Sequence, residues 1–132
     1  MSDLLWPLPV EYQVITTEYG AVDAEHPASQ PHRGIDIAAP LGVGVLAVDN
    51  GYIVVIADNA ELGNHVVLRS SVELIDYLYC HLSKVCVRMG QMVARGQVLG
   101  LVGSTGFSTG PHLHFGQWQD GVVQEPKLIR PT

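Results

Sequence analysis

Two spacings in this chain are suited to chemistry: His112-Leu113-His114 and, far upstream of it, His32-Arg33-Gly34-Ile35-Asp36. A further histidine, His81, lies between them. Residues i and i+2 of a strand point to the same face, so His112 and His114 can address one centre together. His32, Gly34 and Asp36 share parity in the same way, with Gly34 leaving room between the two polar groups. Two imidazoles and one carboxylate, with a coordination position left open, make the ligand set of a hydrolytic zinc site. Spacing alone does not say which of His112 and His114 takes the metal.

Taken singly, each residue has a plainer reading. His26, in the proline-bounded run Glu25-His26-Pro27-Ala28-Ser29-Gln30-Pro31, and His65, which follows a turn, read first as hydrogen-bonded structural or surface histidines. His32 with Asp36 alone would be a surface salt link as readily as a metal site. Adding His112-x-His114 and His81 leaves four histidines and an aspartate for coincidence to explain. The run Gly103-Ser104-Thr105-Gly106-Phe107-Ser108-Thr109-Gly110-Pro111 lacks the lysine and the following helix of a phosphate loop. It reads either as a glycine-rich wall beside His112, where an extended substrate backbone can approach, or as a tight turn. Cys80 and Cys86 read as buried free thiols, with Cys80 facing away from the His81 side.

The elements that must position these groups are strands. Gly44 to Val48 and Gly51 to Ile56 flank Asp49-Asn50, a short polar connection suited to a hairpin. His65 to Arg69 follows Gly63-Asn64 as another strand. Leu74 to Leu82 alternates, which puts Tyr77, Tyr79 and His81 on one side, along a groove wall, and Leu78, Cys80 and Leu82 on the other. Val93 to Val102 reads as a tight turn around Arg95-Gly96 and then a strand. His112 to Gln119 is the last strong strand, ended by Asp120-Gly121. No stretch has the 3.6-residue apolar spacing of a long amphipathic helix. Short strands with glycine-rich turns imply an all-β domain, an antiparallel sheet of sandwich or barrel-like form.

Composition narrows the function. The 132 residues make one domain, 1–132, with a core at about residues 6–118. Hydrophobic residues are 47% and charged residues 15%, as in a well-buried fold and unlike a disordered segment. A net charge of -6 without any basic stripe excludes a nucleic-acid partner. The longest apolar runs, such as Tyr52 to Ala57, are strand-sized and too short to form a transmembrane helix. The start, Met1-Ser2-Asp3-Leu4-Leu5-Trp6-Pro7, has neither the basic region nor the apolar core of a secretory signal.

Four motifs together resemble the M23 (lysostaphin/LytM-type) metallopeptidases. They are His32-Arg33-Gly34-Ile35-Asp36-Ile37-Ala38, Tyr79-Cys80-His81-Leu82-Ser83, Gly90-Gln91-x-Val93-x-x-Gly96-Gln97-x-Leu99-Gly100, and the glycine-rich run continued through Pro111-His112-Leu113-His114-Phe115. The resemblance runs from about Trp6-Pro7 to Trp118. It implies an endopeptidase of bacterial peptidoglycan stem peptides or cross-bridges, built on an antiparallel β-sheet with a groove over the metal. It further implies that His32, Asp36 and His114 hold one Zn²⁺, with His112 and His81 as the unligated catalytic pair. The glutamate base of other zinc peptidases is absent from these motifs, so an imidazole must take the proton. His112 is expected to be that general base, and His81, with zinc, to stabilise the oxyanion. A periplasmic, cell-wall or secreted location is the family expectation.

The chain departs from the family pattern at two positions. Tyr19-Gly20-Ala21 is followed by Val22 where an arginine is common, and Gly116 stands where an acidic residue often follows His-x-His-Phe. Two rival readings keep the same residues. One is a non-catalytic module that activates another wall hydrolase, a reading opposed by the full set of ligands and accessory histidines. The other is a non-haem iron oxygenase with a two-histidine, one-carboxylate triad, opposed by the two extra imidazoles and the glycine-rich loop.

Overall fold

β-Branched and aromatic residues fill the runs marked as extended, and the computed structural model, which describes residues 4–131, folds them into a ten-stranded antiparallel sheet. Met1 to Asp3, the start of the segment read as lacking a secretory signal, lie outside the described residues. The strands are β1 (Ile15–Thr17), β2 (Ile35–Ala38), β3 (Gly44–Leu46), β4 (Gly51–Asn59), β5 (Gly63–Ser70), β6 (Asp76–Val85), β7 (Met92–Val93), β8 (Val98–Val102), β9 (His112–Gln119) and β10 (Val122–Gln124). No helix forms among the described residues. The main path runs β1-β2-β9-β6-β5-β4-β7, with β10 on β9, and β8 bridging β3 to β6.

One face of the central strands makes the core. Ile37, Leu68, Tyr77, Tyr79, Leu113 and Phe115 are buried there. Phe115 stacks on Tyr77 at 5.9 Å between ring centroids and meets Tyr79 edge-on at 5.3 Å. Such pairs add about 1 kcal/mol each beyond the area they bury. The other face of β2, β9 and β6 is the floor of a groove.

The expected hairpin at Asp49-Asn50 does not form. β3 pairs with β8, while β4 pairs with β5 and β7. The backbone groups between β3 and β4 are committed elsewhere: Ala47 N–H donates to Gln97, Val48 N–H to the Tyr79 hydroxyl, and Arg95 N–H to the Asn50 side chain. A turn residue pair specifies a reversal only where the flanking strands find no better partners.

The alternation expected from Leu74 to Leu82 also breaks. Leu74 lies before the strand at φ 56°, and Tyr77 and Tyr79 face the core, not the groove. His81 has φ 65°, and the β5–β6 register shifts between Asn64 and Val66. One residue is therefore out of phase, as in a β-bulge. Cys80, opposite His114, shares the groove face with His81 instead of turning away from it, and Leu82 returns to the core. Cys80 is buried as expected, but Cys86 is exposed.

β10 follows a two-residue turn at Asp120-Gly121, with φ of 52° and 75°, the positive pair of the turn type favoured in hairpins. The sheet thus continues past Trp118, and Leu128 packs against the core.

Candidate metal centre

β9 supplies His112 and His114 on its groove face, and the cross-strand register sets Asp36 of β2 opposite His114. His32 is not on a strand, since β2 begins at Ile35. Backbone bonds fix it instead: its N–H donates to Ala21 and its carbonyl accepts from Gly20. The parity argument thus holds for His112 and His114 but not for His32 and Asp36. Gly34 has a different use from the one expected. A Cβ there would lie 2.9 Å from the His114 ring and closer still to the Phe115 carbonyl. Glycine lets this segment cross β9 directly beside the imidazole.

His32, Asp36 and His114 converge, with one ligand atom from each within 4.8 Å of the others. His32 Nε2 stands 3.1 Å from His114 Nδ1 and 3.3 Å from Asp36 Oδ1, and His114 Nδ1 is 2.9 Å from the same oxygen. Zinc–ligand bonds of about 2.0–2.1 Å in a tetrahedron put neighbouring ligand atoms about 3.3 Å apart. The three donors therefore already stand near three corners of that shape. His32 Nδ1 donates to the Glu18 carbonyl at 3.0 Å, which leaves a lone pair on Nε2 directed at the cluster.

Charge at the cluster follows from burial and mutual bonding. Burial acts to raise the Asp36 carboxyl, but hydrogen bonds from His114 and His32 outweigh it and hold the group far below the usual carboxylate range. Burial acts to lower His32, yet its bond to Asp36 and that charge leave it raised. Burial lowers His114 despite the same carboxylate. An ionised aspartate between two imidazoles favours a cation.

His81 and His112 flank the cluster, their ring centroids 4.8 Å apart. His112 Nδ1 bonds the Gly110 carbonyl at 2.8 Å, and its Nε2 lies 3.7 Å from Asp36 Oδ1. His81 Nδ1 bonds the Thr105 carbonyl at 2.7 Å. A carbonyl only accepts, so both Nδ1 atoms carry protons, and either ring in its neutral form keeps a free lone pair on Nε2. Burial lowers His81, opposed by the Thr105 bond and assisted by His112 and His114. The glycine-rich loop therefore serves both expectations, turning tightly and walling the groove while its carbonyls fix the two rings.

These groups sit at the base of a groove of about 850 Å³. His26 lines it as well, bonded to Asp23 at 2.9 Å with its ring 4.5 Å from that of His32, a structural partner rather than a member of the cluster. His65 is buried and bonded to the Gly63 carbonyl, outside the cluster. Burial pushes the Cys80 thiol well up, so it is no nucleophile at neutral pH. Sequence reading missed the carbonyls of Glu18, Thr105 and Gly110, because a backbone acceptor leaves no trace in residue type. It also missed Trp118, which the i+2 series from His112 and His114 through Gly116 would have found.

Two imidazoles and a carboxylate at tetrahedral spacing, open to a groove on an all-β scaffold, define the donor set of a mononuclear metal site. The family model described as Peptidase family M23 matches residues 30–126. The chain belongs to that family. It is 36% identical over 113 residues to the peptidoglycan DD-endopeptidase ShyB of Vibrio cholerae, covering 83% of this chain and 26% of ShyB. Among solved structures it resembles a zinc-containing peptidase from Vibrio cholerae, with TM-score 0.84 and 31% identity over 94% of this chain and 40% of that one. It also resembles the catalytic domain of lysostaphin from Staphylococcus simulans, with TM-score 0.79 and 32% identity over 88% of this chain and 90% of that one. The chain spans 21–27% of the length of the first curated relatives it matches. Among the described residues no helix is long and apolar enough to cross a membrane.

Proposed function

We propose that this chain is a zinc metallo-endopeptidase that hydrolyses peptide bonds of bacterial peptidoglycan, in stem peptides or cross-bridges, outside the cytoplasm. The observation that carries the reading is the near-tetrahedral arrangement of His32, Asp36 and His114 at the base of a groove, faced by two further imidazoles. Those three residues would hold Zn²⁺. When bound, the ion supplies a Lewis acid that makes water a nucleophile near neutral pH and polarises a carbonyl.

The remaining chemistry belongs to the protein. His112, its Nδ1 proton held by the Gly110 carbonyl, takes a proton from the attacking water on Nε2 and passes that Nε2 proton to the leaving amine. His81, held in the same tautomer by Thr105, donates to the oxyanion from Nε2 only after taking up a proton. The groove accepts an extended peptide along β9.

The test is digestion of two purified peptidoglycans, one with glycine bridges and one directly cross-linked, with fragments identified by mass spectrometry. Peptide fragments that vanish on chelation and return with zinc are expected from at least one wall. Intact walls, together with stimulation of a separate amidase by a chain that binds no zinc, would replace this reading with that of an activator module.

A further inference from the structure

The groove wall beside His81 is built from two turns, and it carries apolar side chains that the core does not use. His81 is tied to both turns: its N–H donates to the Leu62 carbonyl at 2.9 Å, and its ring bonds the Thr105 carbonyl at 2.7 Å. Phe107 N–H in turn donates to the Glu61 carbonyl at 2.9 Å, which lays the stretch from Thr105 to Phe107 across the β4–β5 turn. Leu62 and Phe107 both line the groove. Neither belongs to the hydrophobic core or to the partly buried residues packed against it. Phe107 is 62% exposed, and among the described residues no other large hydrophobic that lines the groove is exposed. Apolar surface held in water on a fixed backbone gains from any apolar group that covers it.

The polar groups of this wall are largely committed to each other. Asn59 Oδ1 accepts from the Glu61 and Leu62 N–H groups at 3.0 and 2.7 Å. Thr105 Oγ1 donates to the Leu82 carbonyl at 2.9 Å, and Ser108 Oγ to the Gly110 carbonyl at 2.8 Å. Glu61 is the one charged side chain here, and its carboxylate repels anionic groups. Across the floor, the segment before β2 lines the groove with Asp23, Glu25, His26, Gln30 and Arg33. A peptide lying along β9 therefore meets apolar surface on the His81 side and polar side chains on the other. Thr105 and Phe107 are separated by at most about 7 Å of chain, and an extended peptide advances about 3.3 Å per residue. The apolar wall thus falls within about two residues of a bond cut between His81 and His112.

Taking the peptidase reading as given, we infer that Leu62 and Phe107 form an apolar subsite for a substrate side chain close to the cut bond, which selects alanine-containing stem peptides over glycine bridges. The subsite takes an uncharged alkyl group, of which the alanine methyl is the smallest. Glycine offers the wall nothing to cover, and an acidic side chain there would face Glu61.

The zinc-loaded chain is given two synthetic cross-linked stem peptides, identical except that every alanine of one is glycine in the other. Cleavage is followed by mass spectrometry and binding by calorimetric titration. The alanine peptide should have a kcat/KM about fourfold or more above that of the glycine peptide, as one buried methyl group supplies, with the difference lying in KM. Phe107→Ser should bring that ratio close to one with zinc content kept, and Phe107→Leu, still apolar, should retain the preference. Should the serine variant fail to fold, Leu62→Ala replaces it, with the same fall in the ratio expected. Equal handling of the two peptides by the unaltered chain, including no binding of either, overturns the subsite, and so does a preference that survives Phe107→Ser. Preferential binding of the alanine peptide without cleavage of it or of any wall would sink the peptidase reading and leave the subsite standing. Cleavage of wall without such a preference would do the reverse.

Discussion

His112 and His114 differ by two positions, the proposed function gives them different work, and single substitutions separate the two roles. His112→Ala should abolish cleavage with zinc content unchanged, and full activity in that variant would remove it as the base. His114→Ala should lose the metal, because its Nδ1 is one of three converging donors. A normal zinc content there would mean that the pair is reversed. Protons compete with zinc for the same atoms, since ligands bind only when deprotonated. Asp36 is held ionised and offers no competition. His32 is raised above the ordinary 6.5, so as pH falls it is the first ligand to take a proton, and it is more than half protonated at pH 6.5. His114 is lowered and follows only below that value. Zinc binding near pH 6.5 should therefore release more than about half a proton, and the number released should rise in more acid solution. Calorimetric titration in buffers of different ionisation enthalpy counts them, and zero release at pH 6.5 would contradict the raised His32.

Between residue and molecule, the element that aims the His81 ring is a pair of interlocked turns. Gly106 has φ 74°, and a Cβ there would overlap the Gly63 backbone, while Gly63, at φ 62°, faces Thr105 with as little room. Thr105 bonds the Leu82 carbonyl through Oγ1 and receives the His81 ring on its own carbonyl. Gly106→Ala forces the two turns apart and moves the carbonyl that aims His81. Added to a positive φ, which disfavours alanine by roughly 1 kcal/mol, the clash should lower Tm by several degrees. Turnover should fall about tenfold or more with zinc intact, because the metal donors come from β2, β9 and the segment before β2. Calorimetry and zinc analysis of one preparation check both halves, and unchanged turnover would detach His81 from this contact. The same element marks where sequence reading stopped. Period-two patterns named β9 and placed His112 and His114 on one face correctly, since nothing interrupts that strand. They set His81 on the groove wall correctly, but failed for Tyr77, Tyr79 and Cys80, because the left-handed His81 shifts the phase, and at Asp49-Asn50, where β3 found β8. His32 was legible as a residue type, but its position depends on bonds to Gly20 and Ala21 that no local pattern encodes.

At the scale of the molecule, charge bears on how a peptidase of this family would meet its substrate. Thirteen acidic against seven basic residues give a net charge of -6, and the groove is itself lined by four acids and one arginine. Bacterial walls are polyanionic, so long-range encounter is repulsive. Repulsion acts over the Debye length, about 30 Å at 0.01 M salt and about 8 Å at 0.15 M. Raising salt from 0.01 to 0.15 M removes most of the molecule-wide repulsion. The rate of cleavage of intact wall should therefore rise over that interval by several-fold, since electrostatic steering alters association rates by about tenfold or more. Cleavage of a short neutral peptide should stay level, because it carries no charge to repel. Turbidity loss of purified wall and release from the peptide, measured across the same salt series, make the comparison. A wall rate that falls with salt would mean that attraction dominates the encounter despite the net charge, with Arg33 the first residue to neutralise in search of its source.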